Sequence, residues 1–210
     1  MPEAPRPFRL GAIVLAAGGS SRMGEPKQLL RLNGTSLVVR AADAALDCGA
    51  DPVAVVLGSG AAQVAAEIAG RPVLAVHNPE WATGLASSIR AGVAALLVAE
   101  PGLDAVLVAP CDQPALSADA LRRLAALHRA TGKMAAARYA GRNGGPAVFG
   151  RRHFVALKAL AGDEGARRLL NAAPDDTATL DLPELAADLD TPSDYAAWVG
   201  RPPGQSGKHL

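Results

Sequence analysis

The chain has 210 residues, with 21 Lys plus Arg against 20 Asp plus Glu, so its formal net charge is +1, and half of it is hydrophobic. That length predicts one compact domain, and the near-zero charge leaves no long-range field for a nucleic-acid backbone or an anionic membrane. Aromatics amount to 3%, too few to line a stacking track for single-stranded nucleic acid.

Residues 1–8, MPEAPRPF, hold three prolines and no apolar core, so they read as a flexible arm rather than a signal peptide. No apolar run approaches the ~18 residues of a spanning helix. The expectation is a cytoplasmic protein with neither a membrane nor a nucleic acid as partner. Cys48 and Cys111 stand alone, with no CxxC pair, as small buried hydrophobes of a reducing compartment do.

From residue 10 onward, apolar and β-branched runs alternate with Ala- and Leu-rich stretches, punctuated by Gly and Pro. The pattern predicts strands at 12–16, 53–57, 73–77, 105–109, 134–139 and 147–149, and helices at 37–48, 61–69, 85–99, 118–129, 152–160 and 164–171. The strands are continuously apolar, as in a sheet covered on both faces. An α/β fold follows, built of βαβ units on a parallel sheet. Thr191-Pro192-Ser193-Asp194 supplies an N-cap hydroxyl, a first-turn proline and an acid, which predicts a last helix over 192–198. A single domain over 9–200, taken as a monomer, would then end in a flexible tail at 201–210.

The first strand empties into Leu15-Ala16-Ala17-Gly18-Gly19-Ser20-Ser21-Arg22-Met23-Gly24-Glu25-Pro26-Lys27. Small residues let a ligand approach the backbone, successive N–H groups form an anion nest, and Arg22 and Lys27 add positive charge, so the loop suits a polyphosphate. It is neither a Gly-x-Gly-x-x-Gly loop, because Ser20 stands at the second Gly, nor a P-loop, because Glu25 follows Gly24. After the strand at 105–109 comes Pro110-Cys111-Asp112-Gln113-Pro114, which puts Asp112 in the same crevice as a metal candidate. Asp190, just before the last helix, is the second carboxylate, and Mg²⁺ needs only one or two when phosphates complete its shell. Gly84 and the Ser87–Ser88 pair stand at the start of the helix at 85–99, where they either cap it or meet a nucleotide. His77, His128, His153 and His209 share no ligand spacing, and no Ser-His-Asp order appears.

LAAGGSSRMGEPKQLL resembles the LAAGxSxRMGxxKxLL signature of the MobA-like nucleotidyltransferases, in particular the molybdenum cofactor cytidylyltransferases. VLVAPCDQP, NPEWATGLASSIRAG, GGPAVFG, GDEGARRLL and DLDTPSDY resemble further blocks of that family in the same order. The resemblance implies a Rossmann-like three-layer α/β/α fold with a mostly parallel sheet, of the nucleotide-diphospho-sugar transferase type, and Mg²⁺-dependent transfer of CMP from CTP to the phosphate of molybdopterin, with pyrophosphate released. Arg22 and Lys27 would then contact phosphates, Asp112 and Asp190 would hold metal, and Ala16, Ala17, Gly18, Gly84 and Ser88 would line the nucleotide pocket. A transient contact with a molybdoenzyme or its chaperone would follow. Gly144-Gly145-Pro146 departs from the family's Gly-His-Pro, which leaves the acceptor open. GTP as donor, a sugar or alcohol phosphate as acceptor, an oxidoreductase on the same scaffold, and a noncatalytic nucleotide-binding protein are the alternatives.

Overall fold

The structure, a computed structural model, describes residues 6–20 and 23–200. Ser21, Arg22, the tail at 201–210 and residues 1–5 of the arm lie outside the described residues. In chain order the elements are β1 (Leu10–Ala16), a short β2–β3 hairpin (Arg31–Leu32 and Thr35–Ser36), α1 (Leu37–Asp47), β4 (Val53–Leu57) and α2 (Ala61–Glu67). There follow β5 (Leu74–His77), α3 (Leu85–Ala99), β6 (Ala105–Pro110), α4 (Ala118–Thr131), β7 (Met134–Tyr139) and β8 (Arg142–Gly150). The chain closes with α5 (Phe154–Lys158), α6 (Arg167–Ala172), β9 (Thr177–Asp181) and α7 (Pro192–Val199).

Seven strands form one sheet in the order β5-β4-β1-β6-β8-β7-β9. β8 runs against both its neighbours, β6 and β7, and the remaining pairs are parallel. Its direction comes from a two-residue connection, Ala140-Gly141, both with positive φ, which joins β7 to β8 as a tight hairpin. Asn33-Gly34 makes the same kind of turn between β2 and β3. The sequence pattern passed over that hairpin and over β9, a half-exposed edge strand with polar residues at alternate positions. The helix expected at 152–160 opens instead as a 3-10 turn over Arg151–His153, and the one at 164–171 starts only at Arg167, past Gly165.

Alternation along the strands sorts the core into two layers. Ala12, Val14 and Ala16 of β1 face α1, α2 and α4, whereas Ile13 faces α3, α5 and α6. A third, smaller cluster joins Met23, Leu30, Leu32 and Leu37 to Leu189, with Tyr195 and Trp198 of α7 packed on it. The last helix thus lies over the loop after β1. Its start is fixed as expected, because Thr191 and Asp194 form a reciprocal capping box with Pro192 in the first turn.

β1 is the switch point of the sheet. The chain steps from it to β4 on one side and later to β6 on the other, so the crevice opens at the carboxyl ends of β1 and β6, where Leu15 pairs with Pro110. At the opposite end, residues 6–8 of the expected arm are docked. Asp104 accepts from Arg6 Nη2 at 2.5 Å, Arg6 Nη1 at 3.0 Å and the Arg9 backbone N–H at 2.9 Å, while Phe8 packs on the core under the Arg129 guanidinium.

Burial alone would raise the Asp104 pKa, but the Arg9 N–H and the Arg6 guanidinium overcome it and hold the carboxyl below its ordinary range. A depressed carboxylate contributes stability above its unfolded pKa and loses it as pH falls through the folded value. Asp104→Asn is therefore expected to lose about 1 kcal/mol at pH 7, with the difference from wild type closing below about pH 4. Urea denaturation at both pH values checks this.

Candidate active site

The crevice is assembled from three segments far apart in sequence. Lys27 lies in a 3-10 turn (Lys27–Leu29) that follows the β1 loop, Asp112 lies two residues past β6, and Asp190 lies just before α7. The Lys27 ammonium donates to Asp112 Oδ2 at 2.5 Å and to Asp190 Oδ1 at 2.8 Å. Asp190 arrives there because Leu189 is buried in the small third cluster and its N–H donates to the Asp112 carbonyl at 3.0 Å. Burial works against the Lys27 charge, yet the field and hydrogen bond of Asp112, seconded by Asp190, raise its pKa above the ordinary lysine value. The amine stays protonated.

Asp188 is the third carboxylate of the group. Burial first, then the charges of Asp112 and Asp190, push it up to about 6, with Lys27 opposing them. Sequence reasoning missed it, although the Asp-x-Asp spacing with Asp190 was visible. Cys111, beside Asp112, is buried, and burial raises its thiol pKa well above the ordinary value, so it is an inert packing group.

The β1 loop is held by a residue the sequence reading overlooked. Gln28 is 1% exposed, and its side-chain amide donates to the carbonyls of Ala16 at 3.0 Å and Gly18 at 2.7 Å. Ser20, at φ 50, turns its hydroxyl to accept the Lys27 backbone N–H at 2.9 Å. The signal was a lone amide in an otherwise apolar Gln28-Leu29-Leu30 stretch. A second brace comes from Trp81. Its indole lies against Gly19 and Gly58, and a Cβ on Gly58 would stand 2.5 Å from the Ala17 carbonyl and 2.6 Å from Trp81 Cβ.

Two cavities open on this crevice. One, of about 430 Å³, is lined by Leu15, Ala17, Gly18, Gly19, Lys27, Gln28, Trp81, Gly84, Ser88 and Asp112, among others. The other, of about 560 Å³, runs over Asp112, Gln113, Tyr139, Asp188 and the start of α6. They share Leu15, Leu85, Pro110, Asp112 and Asp163, so they meet at Asp112.

Most of the expected pocket residues therefore come together. Ala16 and Ser20 do not line either cavity. Ala16 falls on the other face of β1, buried in the α1 side of the core by strand alternation, and Ser20 shapes the loop from within. Asp190 also stays outside both cavities and reaches the crevice through Lys27. Ser88 accepts from Asn78 Nδ2 at 3.0 Å, and Ser87 donates to the Gly84 carbonyl at 2.8 Å, so Ser87 closes the first turn of α3. Gly84, at φ 115, backs onto Gly162, where a Cβ would stand 2.4 Å from the Gly162 carbonyl. That contact docks the 162–165 loop on α3 and sets Asp163 between the cavities. His77 ends the exposed edge strand β5 and lines neither cavity.

The donor set suits a hard divalent cation. Two carboxylates converge on one positive atom, and such a pair holds Mg²⁺ or Mn²⁺ when phosphate oxygens and water complete the shell. Among the described residues no group of three or more His, Cys, Asp or Glu is arranged as an all-protein cage.

Comparison with known proteins agrees with this architecture. Residues 12–178 match the MobA-like NTP transferase domain, so the chain belongs to that family. It is 38% identical over 172 residues to the nicotine blue oxidoreductase of Paenarthrobacter nicotinovorans, covering 77% of this chain and 81% of that one. Rv0371c from Mycobacterium tuberculosis H37Rv superposes with a TM-score of 0.81 at 30% identity, over 92% of this chain and 99% of its own. Another structure of Rv0371c is a complex with manganese. A nucleotidyl transferase from Methanothermobacter thermautotroptrophicus (Mth528) gives a TM-score of 0.76 at 29% identity, over 90% of this chain and 95% of its own. No helix among the described residues is long and apolar enough to cross a membrane.

Gln28→Leu leaves the Ala16 and Gly18 carbonyls without their donor and is expected to lower stability by about 1–3 kcal/mol and to weaken nucleotide binding. Gly58→Ala is expected to displace Trp81 and the Ala17 carbonyl, so that nucleotide binding falls while the Trp fluorescence maximum shifts. Calorimetric titration with CTP alongside thermal denaturation checks both.

Proposed function

We propose that the protein transfers a nucleoside monophosphate, CMP from CTP, to the phosphate of an acceptor of the molybdopterin type and releases pyrophosphate. The observation that carries this reading is the Lys27 ammonium between Asp112 and Asp190 where two cavities meet. The glycine loop and Lys27, which both line the smaller cavity, suit a triphosphate. The larger cavity takes the acceptor, so its phosphate and the α-phosphorus approach each other at Asp112 from opposite sides.

In the reaction an acceptor phosphate oxygen forms a bond to the α-phosphorus. The bond from that phosphorus to the α,β-bridging oxygen breaks, and its electron pair leaves with pyrophosphate. A phosphate monoester is already largely ionised near pH 7, so no side chain has to take a proton. Lys27 neutralises charge on the phosphate oxygens as it builds. Asp112 and Asp190 would hold Mg²⁺, which supplies further charge neutralisation when bound. Arg22, which lies outside the described residues, is proposed as a second phosphate contact. The Leu15-Ala16-Ala17-Gly18 opening, which resembles that of the cytidylyltransferases, favours CTP over GTP.

A second reading, an oxidoreductase holding a nicotinamide or flavin nucleotide in the same crevice, is favoured by the name of the Paenarthrobacter relative. Against it stand the lack of a Gly-x-Gly-x-x-Gly loop and the carboxylate pair beside the crevice.

The test is pyrophosphate release from CTP, GTP and ATP with molybdopterin, in Mg²⁺ or Mn²⁺, with NADH and NADPH oxidation followed in parallel. Release with CTP is expected, reduced about a hundredfold or more in Lys27→Ala and in Asp112→Ala. Nucleotide binding without pyrophosphate release from any pairing would overturn the transfer, and oxidation of a nicotinamide nucleotide would replace it with the second reading.

A further inference from the structure

The larger cavity has its own charge problem. Asp112, Asp163, Glu164 and Asp188 all line it, so an anionic acceptor enters against four carboxylates and needs a cation that is free to meet it. Lys27 is held by two of the site's carboxylates. Arg168, on α6, is paired with Glu164 four residues before it. Arg167 also lines the cavity and has no hydrogen bond or ion pair with any other described residue.

The wall facing Arg167 cannot substitute for it. The Tyr139 hydroxyl already donates to the Gly145 carbonyl at 2.9 Å. The two hydrogens of Gln113 Nε2 are shared among the Tyr139 hydroxyl and the carbonyls of Gly145 and Leu185. Neither side chain has a donor left for a phosphate. Burial and then Asp188 push the Tyr139 phenol upward, with the Gln113 hydrogen bond and the positive charges of Arg167 and Arg142 opposing them. Beside it the lining is apolar, with Leu85, Ile89, Val108, Ala147 and Leu170 forming a surface for a carbon skeleton or a ring.

We propose that Arg167 is the acceptor-binding residue: its guanidinium takes the ionised phosphate of an organic monophosphate whose apolar or ring-shaped body lies along Leu85, Ile89 and Leu170. The inference deepens the nucleotidyl-transfer reading above and rests on it. A guanidinium presents two parallel N–H groups to a phosphate, which a point charge does not, so Arg167→Lys retains only part of the affinity.

The probe is phenyl phosphate, with phenol as the phosphate-free control, titrated by calorimetry into wild type, Arg167→Ala, Arg167→Lys and Arg168→Ala. Each titration is repeated with the nucleotide cavity filled by a non-hydrolysable CTP analogue, which removes binding at the glycine loop. Arg167→Ala is expected to weaken phenyl phosphate about tenfold or more. Arg167→Lys recovers part of this, Arg168→Ala stays within about twofold, and affinity for the CTP analogue is unchanged throughout. Equal affinity in wild type and Arg167→Ala, or equal losses for Arg167→Ala and Arg168→Ala, would overturn the proposal, as would failure of wild type to bind phenyl phosphate better than phenol. The two readings fail separately. Pyrophosphate release with an acceptor KM unmoved by Arg167→Ala removes Arg167 and leaves the transfer standing. Arg167-dependent phenyl phosphate binding without any pyrophosphate release removes the transfer and leaves an anion subsite.

Discussion

Everything at the crevice depends on one cation held between two anions. The Lys27 ammonium is mostly withdrawn from water and would be costly there alone, so its contacts with Asp112 and Asp190 are what make its position tenable. They also tie together three places that the chain visits 85 and 163 residues apart. Removing either carboxylate leaves part of a buried charge uncompensated, and removing the lysine leaves a cluster of three acids. Under the proposed function, an incoming polyphosphate with its metal would exploit this arrangement, because it brings both signs of charge at once.

Around that cation the backbone is held by groups with no chemistry of their own. Gln28 satisfies two carbonyls of the β1 loop, Trp81 occupies the space that Gly19 and Gly58 leave, and Gly84 lets the 162–165 loop rest on α3. A loop rich in glycine loses much conformational entropy on ordering. Fixing it with a buried amide and a packed indole means that the loop is shaped before ligand arrives, which lowers the ordering cost of binding.

The fold presents two adjoining cavities rather than one. β1 is flanked by strands reached in opposite directions, and the segments after β1, β5 and β6 surround the smaller cavity. The antiparallel β8 and the segments after it, absent from a simple repeat of βαβ units, build the larger one.

Much of this was legible in the residues themselves. Continuous apolar runs between Ala-rich stretches identify buried parallel strands, and small residues next to Lys27 mark an anion loop, because those features follow from local sterics and burial. The Asn33-Gly34 turn carried the same kind of local signal, but a search for long periodic segments passed over the two-residue strands beside it. Other features had no local signature. That Asp190 reaches Lys27 depends on which surfaces meet once Leu189, Tyr195 and Trp198 have packed, and that Gln28 reaches the Ala16 and Gly18 carbonyls depends on the path of the chain after β1. Composition and periodicity determine the elements and their buried faces; long-range packing, which depends on shape rather than order along the chain, decides which charges become neighbours.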